Sequence, residues 1–225
     1  MLKIRANKFK AKKKSTPGRE ILKRLKKNKL AMIGLVVLII IILLSICAPV
    51  VSQYNYAKQN YSESYIFPNL KHLFGTDNFG RDIFTRVLYG GRYTLFITFV
   101  CTSIACIIGS GIGVLAAYFS KLDNILMRII DIFMGMPQMM MCVSIVAALG
   151  SNMKNMMIAL AITSIPEFAR VMRAQVLTIK GEEFIEAARS IGSNNLRIIF
   201  HHILPNSLAP VIVNYTYVAV NVILM

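Results

Sequence analysis

Eight consecutive residues, Gly75-Thr76-Asp77-Asn78-Phe79-Gly80-Arg81-Asp82, place two glycines, two acids and a guanidinium within reach of one another. Glycines at this spacing raise the question of a phosphate loop. Such a loop needs Lys and then Ser or Thr after its second glycine, so that an ammonium group and backbone N–H groups cradle the phosphates. Arg81 and Asp82 stand there instead, and the Asp82 carboxylate would repel phosphate. No other Walker A pattern, H-E-x-x-H or nucleophile elbow occurs, and His72, His201 and His202 form no ligand set. No catalytic constellation, metal site or cofactor site is expected in this chain.

Other candidate chemistries have a packing counterpart. Met134, Met136, Met139, Met140 and Met141 are thioethers that could hold Cu(I). Consecutive methionines point to different sides of a helix, however, so adaptable packing is the better reading. Cys47, Cys101, Cys106 and Cys142 show no C-x-x-C spacing and read as small packing residues. Gly109-Ser110-Gly111-Ile112-Gly113 has no preceding strand and is no dinucleotide motif. Ala105, Gly109, Gly113 and Ala117 instead recur every four residues, a stripe that lets another helix backbone come close.

The segment from Glu182 to Pro205 has the clearest local pattern. Glu182 and Glu183 suit the first turn of a helix, whose dipole favours acids there. Phe184, Ile185, Ala188 and Ile191 share one face. Gly192 ends that helix, because glycine takes the left-handed conformation past a C-terminus. Ser193 is expected to cap a second helix, in which Leu196, Ile199, Phe200 and Ile203 follow at helical spacing, and Pro205 closes it. Two short amphipathic helices hinged at Gly192 suit docking of a partner by the helix-in-groove mode, or a hairpin lying on a membrane surface.

The elements that carry these residues are membrane spans. The chain is 56% hydrophobic with a positive mean hydropathy, too apolar for an ordinary soluble domain. Residues 30–57, 93–120 and 132–153 contain no charged side chain. About 20 apolar residues suffice to cross a hydrocarbon layer of ~30 Å. An all-α polytopic membrane protein is expected, with spans near 30–51, 93–119, 129–149, 156–171 and from 206 onward. Pro137 lies inside the third span and can kink it. Pro166, Glu167, Arg170 and Arg173 close the fourth, where charges read as snorkelling anchors.

Charge placement orients the chain. The net charge is +16, and 13 of the 26 Lys and Arg residues precede residue 31. Beside an apolar run this basic arm reads as a cytoplasmic segment facing anionic lipid, not as a nucleic-acid site. The first apolar run is long and lacks a good cleavage site, so it reads as a retained helix and not a signal peptide. Residues 1–29 are then a basic cytoplasmic tail with a short helix capped at Thr16-Pro17, which either lies on the inner membrane surface or is solvated. Residues 52–92 lie outside, and 120–128 and 172–205 inside. In the outer segment, Asp77 is expected to cap a helix from about Gly80 to Tyr89, with Asp82 and Arg86 pairing four residues apart. That segment reads as a structural elbow, or as a gate or receptor contact.

Glu186-Ala187-Ala188, then Gly192, and a closing Leu204-Pro205 resemble the EAA loop of bacterial ATP-binding-cassette importer permeases. "HILPNSLAP" and the outer "FGTDNFGRDIFTRVLYGGRYTL" resemble the dipeptide/oligopeptide/nickel branch, in its second permease subunit. The resemblance implies a type I importer permease fold in the cytoplasmic membrane. Residues 93–225 would be the permease core, with the EAA loop at 182–205. It implies ATPase docking through Glu186, Ala187, Ala188, Gly192, Leu196, Leu204 and Pro205. The external signature would be carried by Gly75, Thr76, Asp77, Gly80, Arg81 and Asp82. Implied partners are a second homologous permease subunit, two ATPase subunits and an extracytoplasmic substrate-binding protein, with no nucleic acid. The solute would be a peptide or a relative such as nickel. Six spans are usual in that family, and about five are expected here, since the chain ends near the end of the fifth.

Competing readings are a self-powered channel or secondary transporter, which predicts paired charges within spans where only Asp131 is found, near an end, a membrane-anchored basic interaction protein, and a permease fragment that does not transport. The orientation has a direct test. A cysteine at Ser193 in a background without other accessible thiols is expected to resist an impermeant thiol reagent in intact cells and to react once the membrane is permeabilised; labelling of intact cells would overturn it.

Overall fold

The computed structural model describes residues 25–52 and 54–225; the first 24 residues of the basic tail, with the Thr16-Pro17 cap, lie outside them. The helices are α1 (Lys29–Ile46), α2 (Ala48–Val51), α3 (Ile83–Tyr118), α4 (Ser120–Met134), α5 (Gln138–Leu149), α6 (Met153–Lys180), α7 (Glu183–Ser190), α8 (Asn195–Ile198) and α9 (Leu204–Leu224). A 3-10 turn occupies Tyr61–Glu63, and a π-turn, Ile199–Ile203, joins α8 to α9. Among the described residues there is no strand, only an isolated bridge between Thr76 and Asp82.

Two compact units divide the chain, Met1–Arg92 and Tyr93–Met225. In the first, Asn28 caps α1 by accepting the N–H of Ala31 at 3.3 Å. Asn28 therefore starts the first span. The helix is apolar all round and its side chains are largely exposed, as expected of a span that faces lipid or partners. Its C-terminal end is fixed by Ser45, which is buried and close enough to Gly91 that an added Cβ there would lie 2.8 Å from Ser45 Oγ.

α3 begins at Ile83, about ten residues before the expected second span, and continues into the second unit. The short outer helix and the span are thus one helix. Gly90-Gly91 and Arg92 do not interrupt it, because glycine only weakens a helix by about 1 kcal/mol and burial elsewhere outweighs that.

In the second unit, α3 and α6 pack closely. An added Cβ on Gly109 would lie 2.6 Å from the Ile165 carbonyl oxygen, and one on Gly113 would lie 2.5 Å from that of Ala169. Ala105 and Ala117, the other members of the stripe, are buried. Phe168, Met172 and Val176 of α6 join Cys101, Val114 and Tyr118 of α3 in one core, which Ile185, Ala188, Ile198, Ile203, Val211 and Val218 extend. All four cysteines are free.

Four further expectations change. The third span is not one straight helix: α4 and α5 meet at 89° across Gly135–Pro137. Pro137 has no N–H and clashes with a helical residue four before it, so the helix ends and a new one starts beyond it. The fourth span is longer than expected, since α6 runs on to Lys180 through Pro166. The fifth begins earlier, because Pro205 does not separate it from the preceding helix. Asn195–Leu224 is one apolar rod, within which the π-turn accommodates the proline ring and its missing donor. Asn194, not Ser193, occupies the position before α8, and its side chain makes no cap bond.

Lys29–Ile46, Ile83–Tyr118 and Asn195–Leu224 are each long and apolar enough to span, and the bent α4–α5 pair has the length and composition of a broken span or a re-entrant loop. α6 is long enough but carries Lys154, Glu167, Arg170, Arg173 and Lys180. Its charges are not mere anchors. Arg173 grips Asp123 through two bonds of 2.6 and 2.7 Å, and Arg170 reaches Asp131 at 2.7 Å.

The α3–α6 contact makes a sharp prediction. Gly113→Val would force methyl groups into the α6 backbone and lower stability by about 1–3 kcal/mol. Gly111→Ala, at a site with nothing within 4 Å of the new Cβ, should be neutral or stabilising by up to about 1 kcal/mol. Thermal unfolding midpoints of the two variants in detergent check this.

Candidate functional site

The outer signature folds into a clasp. Gly75 and Gly80 both have positive φ, 74° and 67°, and a Cβ on either would collide with backbone, that of Ile66 and Asn60 respectively. Only glycine meets both demands. Between them, Thr76 Oγ1 donates to the Glu63 carbonyl and accepts the N–H of Ile66. The Asp77 carboxylate accepts the N–H groups of Phe79 and Arg81 and pairs with the Arg81 guanidinium at 2.7 Å. Arg81 also lies over the Phe79 ring, 4.6 Å from its centroid. Asp77 thus organises the turn and does not cap the helix. The cap is Asp82, whose Oδ2 accepts the N–H of Thr85 at 2.7 Å. Arg86 approaches Asp77 at 3.8 Å, so the expected Asp82–Arg86 pair does not form.

Asp82 has a different partner, His72, which is buried with it. His72 Nδ1 and Asp82 Oδ1 are 2.9 Å apart. An ionised carboxylate only accepts, so Nδ1 carries the hydrogen. Tyr54 stacks on the imidazole at 4.9 Å, and Ser52 Oγ donates to Thr85 Oγ1 at 3.0 Å. His72 Nε2 has no hydrogen-bond partner; the nearest acid is Glu63, whose Oε2 is 3.8 Å away. Burial would raise the Asp82 carboxyl, but the Thr85 N–H and His72 outweigh it and hold Asp82 below the ordinary carboxylate range. This pair was not legible from spacing, since nothing periodic links residues 72 and 82. Every polar side chain of the signature except that of Asn78 has an internal partner, which leaves no cradle for a phosphate.

The inner site is the hinge after α7. Gly192, at φ 80°, donates to the Arg189 carbonyl, and Ser193 donates to that of Ala188. These two bonds are the 5→2 and 6→1 pair of a Schellman motif, which satisfies the last carbonyls of α7 and turns the chain into α8. Ile185 and Ala188 face inward and are buried, as are Ile198, Ile199 and Ile203. The outward face carries Glu186, Ala187, Gly192 and Leu196, with Phe184, Ile191 and Phe200 beside them, all exposed. Leu204 packs partly against the core and Pro205 is exposed. Ala188 is therefore a packing residue of the loop and not part of its outer surface.

Two residues that the sequence pattern did not single out fix this hinge. Lys180 Nζ donates to the carbonyls of Ala117 and Tyr118 at 3.2 and 3.1 Å, the unsatisfied end of α3. The Tyr118 hydroxyl donates to Asn195 Oδ1 at 2.7 Å, and Lys180 and Arg189 both lie near the Tyr118 ring. A Lys beside a helix C-terminus is the one signal that could have pointed to this contact.

Helices long and apolar enough to span, a pair bent at Gly135–Pro137 and a hinged amphipathic pair continuing into the last helix match the type I permease fold expected from the sequence. The comparisons agree. The family "Binding-protein-dependent transport system inner membrane component" matches residues 109–225, and "N-terminal TM domain of oligopeptide transport permease C" matches residues 16–70. The chain belongs to the family of binding-protein-dependent transport system inner membrane components. It is 46% identical to a dipeptide transport system permease protein of Alkalihalophilus pseudofirmus over 89% of this chain and 66% of that protein. An oligopeptide transport system permease protein of Bacillus subtilis is 34% identical over 92% of this chain and 68% of that protein. A glutathione transport system permease protein of Escherichia coli is 36% identical over 89% and 67%. The chain thus spans about two thirds of the length of such relatives. Among solved structures, an inward-facing MetNI methionine ABC transporter chain superposes with a TM-score of 0.51 at 24% identity, over 58% of this chain and 66% of that one, a likeness of fold.

The His72–Asp82 pair predicts the acid response of the first unit. The folded Asp82 has the lower pKa, so its contribution is complete above the unfolded value of about 3.9 and is lost as pH falls through the folded value. Asp82→Asn is expected to cost about 2 kcal/mol at neutral pH, the scale of hydrogen bonds to a charged group. The difference from the unsubstituted chain should shrink below about pH 4. Hydrogen exchange of residues 76–88, corrected for intrinsic rates, measures it.

Proposed function

We propose that this chain is a transmembrane subunit of an ATP-driven importer that carries di- or oligopeptides, or a related solute such as a nickel chelate, across the cytoplasmic membrane. The single observation that carries the reading is the hinged loop itself. It joins the long helix α6 to the apolar rod that ends in α9, is held to the end of α3, and turns an unpartnered, partly apolar face outward through Glu186, Ala187, Ile191, Leu196 and Phe200. ATP is bound and hydrolysed on a separate subunit that docks on this face, and this chain itself is not an enzyme. The peptide transport named for its relatives supports the choice of solute.

In this reading Glu186 and Gly192 serve the contact directly. Ala188, Leu204 and the buried isoleucines act through the shape of the loop. Because α8, the π-turn and α9 form one rod, displacement of the loop moves a spanning helix without an intervening joint. ATP shifts the pathway between its two openings only in so far as the docked subunit binds those two states with different affinity. A second, homologous permease subunit completes the pathway, two ATPase subunits bind beneath, and an extracytoplasmic protein delivers the solute. The outer clasp, bonded within itself apart from His72 Nε2 and the Asn78 side chain, serves as a rigid elbow between α1 and α3. The N-terminus lies in the cytoplasm.

Glu186→Lys and Gly192→Pro should weaken ATPase co-purification several-fold while the chain still inserts. Glu186→Lys reverses a charge on the exposed face, and Gly192→Pro forbids the positive φ of the hinge. Undiminished co-purification with both variants would overturn the docking assignment.

A further inference from the structure

α6 carries an ionisable side chain that the proposed transport cycle has not used. Glu167 lies near the midpoint of this 28-residue helix, about 21 Å along it from Met153. It is partly buried, and among the described residues no hydrogen bond or ion pair reaches its carboxylate. Successive helical residues turn by about 100°, so Glu167 stands about 60° from Ser164 on one side and about 60° from Arg170 on the other. Both neighbours are bonded to the broken span. Gln138 Nε2 donates to Ser164 Oγ at 3.3 Å, and Arg170 donates to Asp131 Oδ1 at 2.7 Å. Asp131 belongs to α4 and Gln138 to α5, on the two sides of the 89° bend. Glu167 is therefore on the face of α6 that looks into the corner of that bend.

The corner is open and polar. The side chains of Arg170 and Asp131 are 53% and 63% exposed, so neither charge is sealed in the fold. A partly buried carboxylate without a partner must face water, a counter-charge or a passing ligand, since hydrocarbon solvates it poorly. We infer that Glu167 is a contact point on the translocation path for the ammonium group of the solute. The inference rests on the peptide-import reading above and names the group of that solute which this chain recognises. A carboxylate accepts charge-assisted hydrogen bonds from an ammonium group. Arg170, one turn away, spends one nitrogen on Asp131 and keeps further donors for an anionic group. Both signs of charge within one turn suit a zwitterion better than an apolar molecule. A basic side chain of the second permease subunit is the rival occupant, but an intersubunit contact here would have to desolvate Asp131 and Arg170 as well as Glu167.

The test uses the complete transporter in proteoliposomes, with alanyl-alanine as the probe. Glu167→Gln is expected to lower uptake about tenfold, the scale of a lost hydrogen bond between charged groups, and Glu167→Asp to retain most of it. Both complexes should co-purify. Glu167→Cys, in a background without other reactive thiols, should react with a small cationic thiol reagent, and alanyl-alanine should slow that reaction several-fold. Uptake by Glu167→Gln equal to that of the unsubstituted transporter would overturn the inference, as would a cysteine that does not react or that dipeptide fails to protect. Loss of subunit co-purification in Glu167→Gln would overturn it in favour of the intersubunit contact. An unsubstituted transporter that takes up no dipeptide would overturn the peptide reading itself, and this inference with it.

Discussion

The approach of α6 to Gly109 and Gly113 is the constraint on which the second unit depends. With no Cβ at those positions, the carbonyls of Ile165 and Ala169 sit against the α3 backbone. Apolar burial gives little drive between helices surrounded by lipid, so close backbone packing carries more of the association there. This contact sets the rotation of α6 about its own axis. Phe168, Met172 and Val176 turn into the core, and the polar side of the same helix turns towards α4 and α5. Asp123 and Asp131 meet arginines on that side, which lets a helix with five charged residues belong to a membrane bundle. At its far end the same helix delivers Lys180 to the carbonyls that α3 leaves open.

The first unit solves a different problem. It has few apolar residues to bury between α1 and α3, and Leu88 and Ala48 are its main buried apolar groups. Its order rests on polar groups that satisfy one another: Thr76 with Glu63 and Ile66, Asp77 with Arg81, Asp82 with His72 and Thr85. Loss of one more partner would leave another desolvated polar group behind, as His72 Nε2 already is. The two glycines with positive φ allow the chain to pass close enough for all of these bonds to form.

What was legible in the sequence follows from the range of each interaction. The turn after α7 could be anticipated because glycine's conformational freedom acts over a few residues. The small-residue stripe could be read because a helix repeats every few positions. The bend at Pro137 was foreseen as a kink, but its size depends on what α4 and α5 pack against, and no local rule supplies that. Pro205 misled for a related reason: a proline usually ends a helix, and here the chain relaxes into a π-turn and continues. Pairs such as Asp123–Arg173 and His72–Asp82 join residues whose separation in the chain follows no period. Only the fold brings them together.

The π-turn at Ile199–Ile203 has a consequence for how α8 and α9 align. Buried residues recur there at 199, 203, 207 and 211, always four apart. In a uniform α-helix each such step would carry the stripe about 40° further around the axis. A turn closed by i→i+5 bonds holds one extra residue and absorbs part of that drift. It acts as a phase shifter, in the way a stutter does in a coiled coil. The side of the rod that looks outward at Leu196 and the side that seats Val211 and Val218 are thereby set independently. Loop and span can each meet a neighbour of their own while remaining one mechanical piece.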